Sequence, residues 1–350
     1  MRIAQVAPLT ESVPPRTYGG TERVVSYLTE ELVRMGHEVT LFASGDSMTE
    51  ADLEAIWPCA LRFDATLRDG MAPIMLQLER LIQRAHEFDI LHCHLDYWPF
   101  SLLSRQATPH MTTLHGRLDL PELTRIFEIF PDVPVVSISD SQRRPLSDAN
   151  FIGTVHHGLP PSLLTPQGGP RDYLAFLGRI CPEKSPDRAI RIARAAGKKL
   201  KIAAKIDRVD RAYFETQIRP MIDGEQIELI GEITDAEKPD FLSHAEALLL
   251  PIDWPEPFGL VMIEAMACGT PTIAFPAGSV PEVIDHGVTG FIVPDEAQAV
   301  AALNHLEVFS QDRIRDVFEA RFTARRMAED YLALYRRIAL RTRPALRVVT

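Results

Sequence analysis

Hydrophobic and polar positions along this chain switch repeatedly between strand and helix spacing. Arg2–Ala7 is an apolar run of strand length, followed by a loop carrying Pro8, Pro14, Pro15, Gly19 and Gly20. Val24, Val25, Leu28, Leu32 and Met35 then recur with helical spacing up to Gly36. Strand Glu38–Ala43 comes next, then a helix over Ile74–His86 with Ile74, Leu78, Leu81, Ile82 and Ala85 on one face. Strand Asp89–Cys93, a short helix near Phe100, strand Met111–Leu114, a helix around Leu120–Phe130, strand Val133–Ile138, a helix after Asp140 and strand Phe151–Val155 complete the first half. The second half repeats the alternation. Its strands are Tyr173–Gly178, Leu200–Lys205, Ile227–Ile230, Ala247–Leu250 and Thr272–Phe275, with helices between them, one of them over Val209–Met221. Thr234 and Glu237 read as a capping box. A last helix over Arg325–Ile338 carries Met327, Tyr331, Tyr335 and Ile338 on one face and is expected to pack on the core. Strands that alternate with helices predict mostly parallel sheets with ligand sites at the strand C-termini.

The length of 350 residues exceeds one ordinary core and predicts two domains. Pro160, Pro161, Pro166, Gly168, Gly169 and Pro170 form a linker composition, which puts the boundary near residue 165. The net charge of −11 argues against nucleic acid as a partner. The end of the chain is locally basic, with Arg336, Arg337, Arg341, Arg343 and Arg347. That run reads as a solvated helix face or as a contact for an anionic membrane surface. Cys59, Cys93, Cys181 and Cys268 are far apart and read as reduced thiols. The start, MRIAQVAPLT, reads as strand and loop, not as a signal peptide, and no apolar run reaches membrane-spanning length. The expected location is cytoplasmic, either free or peripheral at the inner membrane face.

The chemistry concentrates in Pro251–Thr270, PIDWPEPFGLVMIEAMACGT. Pro255 and Pro257 clamp Glu256 in a stiff loop. A helix is expected from Phe258 or Gly259 to Gly269, with Glu264 inside it and Gly269 at its C′ position. Its N-terminus offers unsatisfied N–H groups and partial positive charge, which suits a phosphate. Each carboxylate taken singly reads as a surface residue. Elsewhere, Arg179 and Lys184 fall on the loop after strand Tyr173–Gly178, where a doubly wound sheet binds phosphate. Gly19 and Gly20, in Tyr18–Arg23, let backbone N–H groups approach a ligand or serve a simple turn with Thr21 as N-cap. His115-Gly116 ends a strand, a position from which a histidine reaches ligand or a neighbouring loop. His92-Cys93-His94 has a metal-like look, but strand alternation puts both histidines on one face and no further ligand pair is spaced nearby. No metal site and no cofactor is expected.

These segments together resemble the retaining glycosyltransferases of family 4. Glu256 and Glu264 stand at the two positions of that family's E-x7-E motif. Gly178-Arg179 with Lys184 is similar to its G-R-x-x-x-x-K segment, Gly19-Gly20 to its Gly-Gly loop and His115-Gly116 to its strand-end His-Gly. Ala277–Glu282 and His286–Phe291 also resemble family loops. The resemblance covers nearly the whole chain and departs from the family turn at His157 and Pro160, where Asn and Asp are usual. It implies the GT-B fold: two Rossmann-like doubly wound domains facing across a cleft. Residues 1–165 would form the acceptor domain, 166–325 the nucleotide-sugar donor domain, and 326–350 a helix crossing back to the first domain with a basic tail. It further implies transfer of a hexose from a UDP- or GDP-sugar to an acceptor hydroxyl with retention of configuration. The acceptor would be a sugar, a lipid-linked group or a small molecule.

By the same resemblance Arg179 and Lys184 hold the diphosphate, and Glu256 and His115 contact the sugar. Glu264 grips the ribose, and Gly19, Gly20, Glu232, Ile233, Phe258, Gly259 and Leu260 complete donor binding. The chain contains no D-x-D, so charge on the leaving diphosphate would be stabilised by these cations and the helix end without a metal. Two other classes stay open. An epimerase would turn over a nucleotide sugar without acceptor and a phosphorylase would show pyridoxal absorbance; a non-catalytic nucleotide-sugar-binding module would do neither.

Overall fold

The computed structural model describes residues 1–16 and 19–342. The chain divides into two compact units. The first comprises Met1–Gly158 and the segment from Ala324 onward; the second is Leu159–Thr323.

The first unit is built on a seven-stranded parallel sheet: β1 (Arg2–Val6), β2 (Glu38–Ser44), β3 (Asp52–Trp57), β4 (Ile90–Cys93), β5 (His110–Thr113), β6 (Val135–Ser137) and β7 (Phe151–Thr154). Their spatial order is β3-β2-β1-β4-β5-β6-β7, so the chain reverses direction of growth between β1 and β4. Ile3 pairs with Val39 on one side and Ile90 on the other. The central strands read as near-continuous apolar runs because both faces are covered. Helices α1 (Gly20–Arg34), α2 (Met71–Arg84) and α3 (Pro121–Ile129) present their apolar faces to the sheet. The pattern of the sequence does not announce β3. Its residues DLEAIW are half exposed at the sheet edge and lack a buried apolar run.

The second unit carries a six-stranded parallel sheet: β8 (Tyr173–Arg179), β9 (Leu200–Lys205), β10 (Ile227–Gly231), β11 (Ala245–Leu250), β12 (Thr272–Ala274) and β13 (Gly290–Ile292). The order β10-β9-β8-β11-β12-β13 again reverses in the middle, between β8 and β11. Around it lie α4 (Pro186–Ala195), α5 (Lys238–Ser243), α6 (Leu260–Ala267), α7 (Glu296–Ala302) and α8 (Gln311–Arg321). The expected helix over Val209–Met221 is helical throughout but not regular α. A π turn at Phe214–Ile218 separates a short α segment from a final 3-10 turn at Arg219–Met221. Pro220 explains the irregularity, because it has no N–H to give and its ring crowds the preceding turn.

The dividing point falls at Leu159, immediately before the Pro/Gly-rich stretch and a few residues ahead of the boundary expected near residue 165. Leu159 N–H donates to Phe322 O at 2.9 Å, and Arg315 on α8 donates to the carbonyls of Pro161 and Leu164 at 2.7 Å each. These bonds tie residues 159–164 to the second unit. The last helix, Ala324–Thr342, packs with the first unit. Tyr331 and Tyr335 are fully enclosed there and Ile338 nearly so. Of the basic run at the chain end, Arg336 and Arg337 are exposed on this helix. Arg343 and Arg347 lie outside the described residues, as does the side chain of Arg341.

Candidate functional site

In the second unit the reversal of strand order opens the C-terminal ends of β8 and β11, and the charged residues collect there. Arg179 is the last residue of β8 and pairs in register with Lys205, the last residue of β9. Arg179 lies 3.7 Å from Asp207 and 3.5 Å from Asp210, and Lys205 lies 2.9 Å from Asp207. Lys184 ends the turn Pro182–Lys184 that leads into α4. Its ammonium bonds the carboxylate of Glu256 and lies 5.2 Å from the centre of the Trp254 ring. Trp254 Nε1–H donates to the same carboxylate at 3.1 Å. Lys184 and Glu256 thus meet although 72 residues separate them.

The loop bearing Glu256 is fixed by its neighbours. Ser279 N–H donates to Glu256 O at 3.0 Å, and Ser279 Oγ donates to Phe258 O at 2.8 Å. Gly278 has φ +56°, and a Cβ there would lie 2.3 Å from the N and O of Glu256. Only glycine allows this approach. Phe258 is buried and packs on Phe322 at 6.3 Å between ring centres. Its ring therefore belongs to the core.

Gly259, at φ +78°, turns the chain into α6, and no side chain caps that helix start. Its first N–H groups have no partner within the helix. Gly269 follows the helix with φ +68°, as its C′ position requires. Glu264 is buried inside α6 and accepts from Lys238 Nζ at 2.6 Å; Lys238 also lies 3.0 Å from Asp235. Lys238 begins α5, and the segment leading to it carries exposed Glu232 and half-buried Ile233 after the left-handed Gly231. Thr234 N–H and Oγ1–H both donate to Glu237, which holds this segment in a turn. A cleft of about 450 Å³ opens nearby, lined by Arg188, Asp253, Phe275 and Asp295 among others. None of the candidate residues lines it.

In the first unit the helix α1 begins at Gly20, with Gly19 as its N-cap. Thr21 lies inside the helix and does not cap it. A Cβ on Gly19 would meet Pro15 Cβ at 2.8 Å, so the close packing of this loop itself demands glycine. Tyr18 lies outside the described residues. His115 follows β5, and its Nε2 is 2.8 Å from His94 Nδ1. Its ring stacks on His157 at 5.3 Å with an interplanar angle of 18°. His157, one of the two departures from the family turn, therefore lies against the candidate histidine. Arg326 donates to the carbonyls of His156 and His157 at 2.8 and 3.0 Å, which anchors that turn to the last helix. Burial depresses the pKa of His115 to about 3 and holds His92, His94 and His157 well below the ordinary histidine range. All four rings are neutral at neutral pH. His92 and His94 do share a face, 4.1 Å apart between ring centres. Each is engaged by hydrogen-bonding side chains, and among the described residues no cluster of three or more His, Cys, Asp or Glu is arranged to hold a metal ion.

Two cations at these strand ends escape a reading of the sequence. Lys205 and Lys238 belong to no recognisable motif, and only the fold places them beside Arg179 and Glu264.

Two doubly wound parallel units with charged groups at their central strand ends define an α/β protein of paired Rossmann-like units. Comparison with known proteins gives the family. The profile of the Glycosyl transferases group 1 family matches residues 166–323, and that of Glycosyltransferase Family 4 matches residues 18–180. The chain belongs to the family-4 glycosyltransferases of the GT-B class and is a glycosyltransferase. It is 24% identical to a D-inositol 3-phosphate glycosyltransferase of Mycolicibacterium smegmatis, over 94% of this chain and 90% of that protein. It is 26% identical to a phosphatidyl-myo-inositol mannosyltransferase of the same organism, over 93% and 89%. Among solved structures it resembles AviGT4, a glycosyltransferase involved in avilamycin A biosynthesis, with TM-score 0.73, 24% identity and coverage of 97% and 98%. It also resembles Anabaena HepE, solved in complex with UDP-glucose, with TM-score 0.71, 17% identity and coverage of 96% and 100%.

Proposed function

We propose that this glycosyltransferase moves a hexose from a UDP- or GDP-linked donor to an acceptor hydroxyl, with retention of configuration and without a divalent metal. The observation that carries the reading is the convergence of Arg179, Lys184, Lys205, Glu256 and the start of α6 at the open end of one sheet. Negative charge grows on the diphosphate as the glycosidic bond breaks, and preorganised cations and N–H groups stabilise it. Arg179 and Lys184 take that role, with Lys205 as a third cation. Backbone N–H groups of Gly259 and Leu260, and of Gly19 and Gly20 in the first unit, add to it. Glu256 accepts hydrogen bonds from sugar hydroxyls and stabilises positive charge developing at the anomeric carbon. Glu264 binds the ribose, the backbone of Glu232, Ile233 and Phe258 serves the donor, and His115 is the first unit's contact to the sugar.

Retention and the hexose rest on the family resemblance. The UDP-glucose complex of HepE supports a nucleotide-sugar donor, and the names of the inositol-acting relatives support a polyol or lipid-linked acceptor. We place the enzyme in the cytoplasm, where exposed Arg336 and Arg337 would suit peripheral contact with an anionic membrane surface. The test is a thermal-shift screen against UDP-, GDP- and ADP-sugars, followed by turnover with and without EDTA. One donor class is expected to raise the melting temperature by mass action, and turnover is expected to survive chelation. No shift with any nucleotide sugar would refute donor binding. Activity abolished by EDTA and restored by Mn²⁺ or Mg²⁺ would refute the metal-free account.

A further inference from the structure

The first unit contains a buried polar network of which the glycosyl-transfer reading uses only His115. Gln5, at 0% exposure in the centre of β1, is its origin. Gln5 Oε1 lies 2.9 Å from His94 Nε2, while Gln5 Nε2 lies 3.0 Å from Tyr335 Oη and 3.4 Å from His92 Nδ1. An amide oxygen only accepts, so the proton of His94 sits on Nε2. A neutral imidazole has one N–H, so His94 Nδ1 is a lone pair. The 2.8 Å contact to His115 Nε2 must then be closed by a proton on His115. That leaves His115 Nδ1 as a lone pair. Among the described residues this buried atom has no hydrogen-bond partner.

The other arm has the matching polarity. Gln5 Nε2–H donates to Tyr335, and Tyr335 O–H donates to His92 Nδ1 at 2.7 Å. His92 Nε2–H then donates to Thr113 Oγ1 at 2.7 Å, and Thr113 donates to Tyr331 Oη at 3.1 Å. In this orientation of the Gln5 amide every bond in both arms is satisfied; turning the amide over would reverse every donor along them, which the spectrum described below distinguishes. Burial keeps these rings neutral, so each carries a single N–H.

We propose that the amide of Gln5 fixes, through His94, the tautomer of His115, so that the buried, unpartnered Nδ1 of His115 is a hydrogen-bond acceptor that recognises a hydroxyl and refuses a phosphate oxygen. Gln5 and His94 are positioning residues that act through His115. A buried acceptor without a partner is costly and favours a ligand that brings a donor hydrogen. The assignment of that hydroxyl to the sugar of the donor rests on the function proposed above; the tautomer does not.

The experiment is a long-range ¹H–¹⁵N correlation spectrum of the full chain labelled with ¹⁵N-histidine at neutral pH. The His115 signals are identified by their loss in His115→Asn. The expected pattern is a protonated, pyrrole-type Nε2 and a bare, pyridine-type Nδ1. The reverse pattern, or an imidazolium, overturns the proposal without needing any variant to fold. His94→Gln rebuilds the same polarity, because its amide N–H donates to Gln5 and its oxygen accepts from His115; it is expected to keep the pattern. His94→Leu is expected to lose it, and an unchanged spectrum there would overturn the relay. Binding separates the two readings. His94→Leu should weaken the nucleotide sugar by about tenfold while the bare nucleoside diphosphate binds as before. If neither ligand binds the wild type, the function fails while the tautomer stands.

Discussion

Replacing Lys184 with alanine perturbs two things that the structure allows to be separated. In the free protein the ammonium sits on Glu256, with the two side chains only 21% and 10% exposed. Its removal leaves the carboxylate with the Trp254 indole N–H, at 3.1 Å, as its remaining side-chain donor. Loss of one partner from such an enclosed pair costs about 1–3 kcal/mol. For a unit spanning Leu159–Thr323, each kcal/mol lowers the melting temperature by roughly 2–4 °C. The variant should therefore melt about 2–12 °C early but still fold. In catalysis it loses a preorganised cation facing the departing diphosphate, and such groups are worth about 10²–10³ in rate. Initial rates with the donor identified by thermal shift, compared at a temperature where both proteins are folded, give the second quantity. Circular dichroism and a melt give the first. Wild-type kcat/KM in a folded Lys184→Ala protein would refute the assignment of Lys184 to the diphosphate. Lys184→Arg, which keeps the charge, should recover part of the rate.

Gly278→Ala should cut turnover at least about tenfold and destabilise the protein by about 1–3 kcal/mol, because the new methyl would meet the Glu256 backbone at 2.3 Å in a left-handed conformation; a variant with normal rate and melt would show that the loop position does not matter. Glu264→Ala should bind a ribonucleotide sugar and its 2′,3′-dideoxy analogue equally, whereas the wild type discriminates by about tenfold; retained discrimination in the variant would remove Glu264 from the ribose. Glu256→Gln should slow transfer by about 10²-fold or more while the nucleoside diphosphate alone binds at least as tightly as before, as calorimetry can show; weaker diphosphate binding would contradict the roles given to Glu256 and Lys184. Stability of the first unit should fall as the pH drops below the unfolded histidine range near 6.5. His115 stays neutral down to about 3 in the fold, so the unfolded chain binds the extra proton and gains about 1.4 kcal/mol per pH unit from each such ring. A flat melting temperature between pH 6.5 and 4.5 would contradict the buried neutral cluster.

What the sequence reveals follows from the range of the interactions that write it. The alternation of strand and helix is local, so most elements are legible, and Leu200–Lys205 falls where its apolar run places it. The edge strand β3 is not, because a half-exposed edge needs no continuous apolar run. The clamped Glu256, the helix behind it and Gly269 at its end are local features, and they are readable. Lys205 and Lys238 are single cations whose meaning comes only from the strands and helices that carry them. The histidine network is the same case at greater distance: Gln5 and Tyr335 are 330 residues apart and share a hydrogen bond. No spacing rule reaches across such a separation. The His92-Cys93-His94 triplet shows the converse. It has the look of a metal motif, while the fold sets its two imidazoles within hydrogen-bond distance of Thr113, Tyr335, Gln5 and His115.

The candidate donor cations of the second unit share a property that bears on how a donor would be held. Arg179 stands beside Asp207 and Asp210, Lys205 beside Asp207, Lys184 on Glu256 and Lys238 on Glu264. A half-buried charge left alone is expensive, so a fold that stores cations at its strand ends must store carboxylates with them. A diphosphate arriving at Lys184 therefore exchanges one anionic partner for another and does not simply add a charge pair. In the proposed complex the net affinity would be the difference between two interactions of similar kind. The exchange also has a direction. Once phosphate oxygens take the ammonium, Glu256 loses its strongest partner and its carboxylate turns to the nearest hydroxyls, which in the proposed complex belong to the sugar. In that proposed complex, leaving-group recognition and sugar recognition would be coupled through the Lys184–Glu256 pair. A bare sugar, which offers Lys184 no anion, has no means of releasing Glu256.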